Sequence, residues 1–139
     1  MEMKKLLIIL SSTLLLINAI AALFGGGNFI LHPDGSGMNI SLDLLKHTPF
    51  TNYLIPGIIL VIANGLFSLF IFISIMLKSQ IVPRLVMAQG AILFGWIIVQ
   101  ILLIRILNLH HFVFGSIGVV LLITGRLLIR QYHDNQAGN

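Results

Sequence analysis

The chain has 139 residues, 58% of them hydrophobic and only 9% charged, with mean hydropathy +1.05 and a net charge of +4. A soluble domain carries about 25% charged residues, and the polar groups here are too few to cover a water-facing surface, so the composition excludes a soluble protein and predicts one membrane domain over residues 1–139. Cysteine is absent, which excludes thiolate catalysis, Cys-ligated zinc and thiol redox chemistry, and the basic residues flank apolar runs instead of clustering, so the expected partner is the lipid bilayer and not nucleic acid.

A bilayer core takes about 20 apolar helical residues to cross. Four segments meet that length: residues 6–24, 53–77, 82–107 and 112–130. They are continuous runs, not alternating ones, so helices are predicted and not barrel strands. The first also fits a signal peptide, with Lys4-Lys5 ahead of an apolar core and Ala19-Ile20-Ala21 as an A-x-A site. The apolar stretch runs on through Ala22-Leu23-Phe24, which favours a span.

The outer loop, 25–52, is the only long one. Gly25-Gly26-Gly27 is expected to end the first span, and His32-Pro33-Asp34-Gly35-Ser36-Gly37 is rich in turn formers. Ser41-Leu42-Asp43-Leu44-Leu45-Lys46 reads as a short amphipathic helix with Ser41 as N-cap, lying on the membrane surface or across the bundle mouth. Pro49 and Pro56 bracket a corner where the second span enters the bilayer, with Thr51 or Asn52 capping it. Lys78 to Arg84 and Asn108 to His111 are short turns, which force antiparallel neighbours. The tail, 131–139, is expected to fray over its last residues.

With the N-terminus inside, Lys4, Lys5, Lys78, Arg84, Arg126 and Arg130 lie on the inner side, and Lys46 and Arg105 on the outer. Six against two places both termini in the cytoplasm. The predicted fold is thus an all-α antiparallel four-helix transmembrane bundle with a short amphipathic helix in the first outer loop.

The four carboxylates, Glu2, Asp34, Asp43 and Asp134, all fall outside the spans. That argues against a proton-coupled exporter, which needs an ionisable group within the membrane. The amides inside the spans offer more. Gln89, Leu93, Trp96 and Gln100 make one stripe on the third span, and Gly57, Val61, Asn64, Ser68 and Ile71 a comparable one on the second. The plainer reading is interhelical hydrogen bonding. The sharper one is a pocket formed by Asn64, Ser68, Gln89, Trp96 and Gln100 for a small apolar or lipid-like ligand with one polar end. Ala91 and Gly95, and Gly118, Gly125 and Gly115, serve helix packing or pairing with another chain.

His32, Asp34, His47 and His110 map to the outer side and are candidate metal ligands, although no metal-binding spacing is present and the plainer reading is solvated loop residues. His110 and His111 are adjacent and should point about 100° apart on a helix. No cofactor is expected.

At Pro33-Asp34-Gly35-Ser36-Gly37, Ser41-Leu42-Asp43-Leu44-Leu45, Pro49-Phe50, Tyr53-Leu54-Ile55-Pro56-Gly57, Asn64-Gly65 and Trp96-Ile97-Ile98-Val99-Gln100 the chain resembles a family of small bacterial four-span membrane proteins. His47-Thr48 departs from the Gly-Ser of that pattern. The four-helix plan is also similar to that of DoxX-type proteins, without a motif in common. The resemblance implies the bacterial cytoplasmic membrane and brings no activity. Three function classes are expected: a non-enzymatic accessory protein that pairs with another membrane protein or with itself, a binder or carrier of an apolar molecule, and, remotely, an outer-face metal-dependent enzyme.

Overall fold

The computed structural model describes residues 2–138. It is an all-helical bundle of four helices, each long and apolar enough to cross a membrane: α1 (Glu2–Leu31), α2 (Leu54–Met76), α3 (Val82–Ile104) and α4 (Leu109–Ala137). They form a ring in which α1 packs on α2 and α4, and α3 closes the other side against the same two helices. Leu15, Ile71, Val86, Leu93 and Leu121 are among the fully buried side chains at its centre.

Glycine seams set how closely the helices approach. Gly26 on α1 meets Gly57 on α2, and Gly90 on α3 meets Gly118 on α4. Gly125 abuts the Met87 backbone. With lipid tails as apolar as leucine, helix pairs gain from close van der Waals contact, which small residues permit. Ala91 and Gly95 behave differently. Ala91 is exposed, and a Cβ on Gly95 would meet nothing within 4 Å, so this small pair faces out of the bundle.

Several boundaries differ from those expected. The first helix does not end at Gly25-Gly26-Gly27 but runs on to Leu31. Gly26 alone of the three touches α2, Gly25 faces open space and a Cβ on Gly27 would meet nothing within 4 Å; none of them ends the helix, and an unbroken helix keeps its backbone satisfied in lipid. The third helix stops at Ile104, three residues earlier than expected, because Arg105 turns left-handed (φ 58°) and donates its N–H to the Ile101 carbonyl at 2.9 Å. α4 starts at Leu109 and continues to Ala137, so the tail is helical where fraying was expected. Lys4 Nζ lies 3.9 Å from the centroid of the Tyr132 ring, a cation–π contact that ties this extension to α1.

Inside α2, residues Leu60–Leu66 wind as a π-helix, and Phe67 N–H reaches back five residues to the Ile62 carbonyl. The wide turn coincides with Asn64, whose carbonyl accepts from Asn18 Nδ2 on α1 at 3.4 Å. A side chain bonded to a helix carbonyl is one recognised cause of such distortion. In the loop, the expected amphipathic helix is a single 3-10 turn, Leu42–Leu45. Ser41 caps it as expected, its Oγ accepting from Asp43 N–H at 3.1 Å. Four residues are too few for an α-helical face, and Leu45 alone of its leucines is fully buried.

Candidate functional site: a capped cavity between the helices

The helices part at the end that carries the 32–53 loop. Between them lies a cavity of about 640 Å³. Ala22, Gly25 and Phe29 of α1, Pro56, Ile59 and Leu60 of α2, Leu93, Trp96 and Gln100 of α3, and Phe114 of α4 line it. The wall is chiefly apolar, with Asn18 at the deep end and Gln100, Asn108 and His110 among the polar residues towards the loop.

The loop closes the top. Leu44, Leu45, Thr48, Pro49 and Phe50 all face the cavity. Tyr53, at the corner where the loop becomes α2, holds them there. Its ring stacks on Phe29 with centroids 4.7 Å apart. Its hydroxyl donates to the Ser41 carbonyl at 2.7 Å, and its N–H donates to the Pro33 carbonyl at 2.8 Å. Burial pushes the phenol pKa upward, so it stays the protonated donor. Gly35 makes the turn beneath it at φ 82°, a conformation natural to glycine, and its amide and carbonyl bond His32 and Ile40. Thr48 Oγ1 donates to the Leu45 carbonyl at 2.9 Å and accepts from Phe50 N–H at 3.2 Å, which fixes the Pro49 corner.

Ile59 on α2 and Val99 on α3 line the cavity, yet they are 37% and 44% exposed. The cavity wall therefore reaches the lipid-facing surface along the α2–α3 seam.

Beneath the cavity the buried amides bond to one another. Asn18 Nδ2 donates to Ser68 Oγ at 2.9 Å, and Gln89 Nε2 donates to Asn64 Oδ1 at 3.1 Å. Further along, Ser11 Oγ donates to Thr124 Oγ1 at 3.3 Å, joining α1 to α4. Asn64 Nδ2 and Gln89 Oε1 are buried without a partner among the described residues, as are Trp96 Nε1 and His111 Nε2.

The stripe read from the sequence is thus divided by depth. Trp96 and Gln100 stand on the cavity wall, while Asn64, Ser68 and Gln89 lie below it in the packed network. Asn18 belongs to both, and Tyr53, Phe29 and the lid residues were not among the expected pocket residues. The signal for the lid was present in Leu44-Leu45 and Pro49-Phe50, apolar residues in a loop otherwise made of turn formers.

The metal candidates do not converge. Among the described residues no three His, Asp or Glu side chains are placed to hold an ion. Asp34 is engaged by the Ser36 hydroxyl at 2.7 Å and the Ser36 N–H at 3.1 Å, and these bonds hold its pKa below the ordinary carboxylate value. His32 and His47 are exposed in the loop, and His110 edges the cavity. The two adjacent histidines do not point apart as expected: their rings lie 3.9 Å apart. His111 turns back over the start of α4, where its Nδ1 accepts from Asn108 N–H at 3.0 Å.

No family model, curated protein or solved structure matches the chain. The resemblance seen at Pro49-Phe50 and Tyr53–Gly57 therefore has no family model behind it.

Proposed function

We propose that this is a multi-pass protein of a bacterial cytoplasmic membrane, with both termini inside, that binds or carries a small apolar or lipid-like molecule with one polar end. The cavity carries this reading. Its volume, about 640 Å³, falls within the range of roughly 300–1,000 Å³ typical of small-molecule sites. An apolar wall favours a hydrocarbon body, Gln100 and the polar loop-end residues suit a polar end, and the α2–α3 seam offers entry from the bilayer. The orientation rests on the six basic residues at the end that holds the termini against two at the loop end.

The test uses Gly25. A Cβ there would meet only Leu60 Cδ2, at 3.8 Å, so Gly25→Leu fills the cavity without striking backbone. Native mass spectrometry of protein released from membrane nanodiscs is expected to show a copurified apolar species on the wild type and its loss from Gly25→Leu at unchanged expression. Equal occupancy of the two proteins, or none on the wild type, would sink the reading.

One observation favours the accessory reading. Ala91 and Gly95 present a small-residue surface on the outside of α3, open to a helix from another chain. A cross-linked partner or dimer that disappears in Gly95→Leu supports it, and a monomeric chain throughout opposes it.

A further inference from the structure

At the end of the bundle opposite the loop, a second cleft of about 320 Å³ lies between the start of α3 and the last turns of α4. Ile81, Pro83 and Ile129 supply its apolar part. Gln80, Arg84, Tyr132, His133 and Gln136 supply the rest, and all five carry a hydrogen-bond donor. The α4 residues fall at i, i+3, i+4 and i+7, one face of the helix. Spanning the bilayer does not require this part of α4, since the apolar run ends before Arg130. The extension is nonetheless helical and braced by Lys4 against Tyr132.

The charge balance of the cleft is positive. Among the described residues the only ion pair is Lys46–Asp43, at the other end of the molecule, so none of their carboxylates pairs with Arg84. Asp134, the nearest acid in sequence, lies about 150° around α4 from the centre of the cleft face. The first-turn amides of α3 do not contribute, because Arg84 and Leu85 N–H already donate to the Ile81 carbonyl, each at 3.1 Å. Any anion here must be held by side chains.

We propose that this cleft is a binding site for a phosphate-bearing anion at the membrane surface. Arg84 provides the charge and a planar fork that matches two phosphate oxygens. Gln80, Tyr132 and Gln136 add neutral donors around it. The apolar surface of the buried Pro83 and the half-buried Ile129 receives whatever is attached to the phosphate. A phospholipid headgroup and a soluble phosphate ester share this chemistry.

The experiment separates the two sources. The full chain is placed in nanodiscs of equal phosphatidylglycerol and phosphatidylcholine, and the lipids retained after release are counted by native mass spectrometry. In parallel, the chain in pure phosphatidylcholine nanodiscs is titrated with inorganic phosphate and followed by ³¹P line broadening. Preferential phosphatidylglycerol retention, weakened about tenfold by Arg84→Gln and unchanged by Arg105→Gln at the other end, establishes the lipid headgroup. Phosphate broadening that Arg84→Gln abolishes, without lipid preference, establishes a soluble phosphate ligand. Where Arg84→Gln fails to fold by circular dichroism, Gln80→Ala with Gln136→Ala is measured instead and should weaken the same signal. The proposal is overturned if neither signal occurs on the wild type, or if the signal that does occur persists unchanged in the variants.

Discussion

Gly26 and Gly57 touch reciprocally: a Cβ on Gly26 would stand 2.8 Å from the Gly57 carbonyl oxygen, and one on Gly57 would stand 2.9 Å from that of Gly26. This contact brings α1 and α2 together directly above the π-helical segment and beside the cavity. It lies one residue from Gly25, which faces the open space.

The neighbouring glycines should therefore respond in opposite ways. Gly26→Ala and Gly57→Ala force a methyl into backbone that has no room to yield, at a cost of about 1–3 kcal/mol. Gly25→Ala meets nothing closer than Leu60 Cδ2 at 3.8 Å and gains about 0.5–1 kcal/mol from reduced backbone freedom. Unfolding in mixed micelles by SDS titration gives the comparison. Similar values for the three variants would contradict the packing described.

Asn18, bonded into the network at the deep end of the cavity, and Gln100, on the cavity wall without a bond of its own, should respond differently. Asn18→Leu removes the donor to Ser68 and to the Asn64 carbonyl. The expected loss is about 0.6 kcal/mol and at most about 1.7, the range for buried hydrogen bonds between membrane helices. Gln100 makes no side-chain hydrogen bond among the described residues and faces the cavity, so Gln100→Leu should unfold like the wild type while changing what is bound. Loss of stability in Gln100→Leu, with none in Asn18→Leu, would reverse the assignment.

Composition carried the fold almost entirely. Four long apolar runs can do little in lipid except form helices, and short links make neighbours antiparallel. Helix ends were less legible because glycine has two meanings. Gly25-Gly26-Gly27 reads as a stop in sequence, yet the helix runs through it, and Gly26 alone of the three serves close approach to α2. The stripe of Gln89, Trp96 and Gln100 was visible from its spacing. Its division into network and wall was not, since that depends on where α2 and α3 part. A position across the bundle mouth was one of the two expected for Ser41–Lys46, but the clasp that holds it was not legible: Tyr53 reaches Ser41 and Pro33 across a loop whose path no local pattern fixes.

The lid should be closed over a wide pH range. Asp34 is held below its ordinary value of 3.8 by the Ser36 hydroxyl first and the Ser36 N–H second. A depressed carboxyl contributes above its ordinary pKa, and that contribution is lost as pH falls through the lower folded value. Tyr53 is raised above its ordinary 10.0 by burial, so its contribution is complete below 10.0 and lost as pH rises through the higher folded value. The Ser36 amide shift in NMR should stay constant between these limits and move outside them. Tyr53→Phe deletes the bond to Ser41 and should cost about 0.5–1.5 kcal/mol, with faster amide exchange confined to the loop. Exchange rates there that match the wild type would show that the hydroxyl does not hold the lid.

His111 makes the same kind of argument at the start of α4. Its backbone N–H donates to the Asn108 carbonyl at 3.0 Å while its Nδ1 accepts from Asn108 N–H at 3.0 Å. Histidine thus takes the place that Glu or Gln holds in a capping box. Because Nδ1 accepts, the ring proton sits on Nε2, which has no partner among the described residues. His111→Ala removes the acceptor and should cost about 0.5–1.5 kcal/mol, the usual net contribution of one hydrogen bond. His111→Gln restores an acceptor at the same helix position and should recover most of that loss. Thermal unfolding of the three proteins, with amide exchange read over Leu109 to Val113, distinguishes capping from packing. If the ring serves only by filling space beside His110, His111→Gln will be as unstable as His111→Ala, and the first turn of α4 will exchange no faster in either.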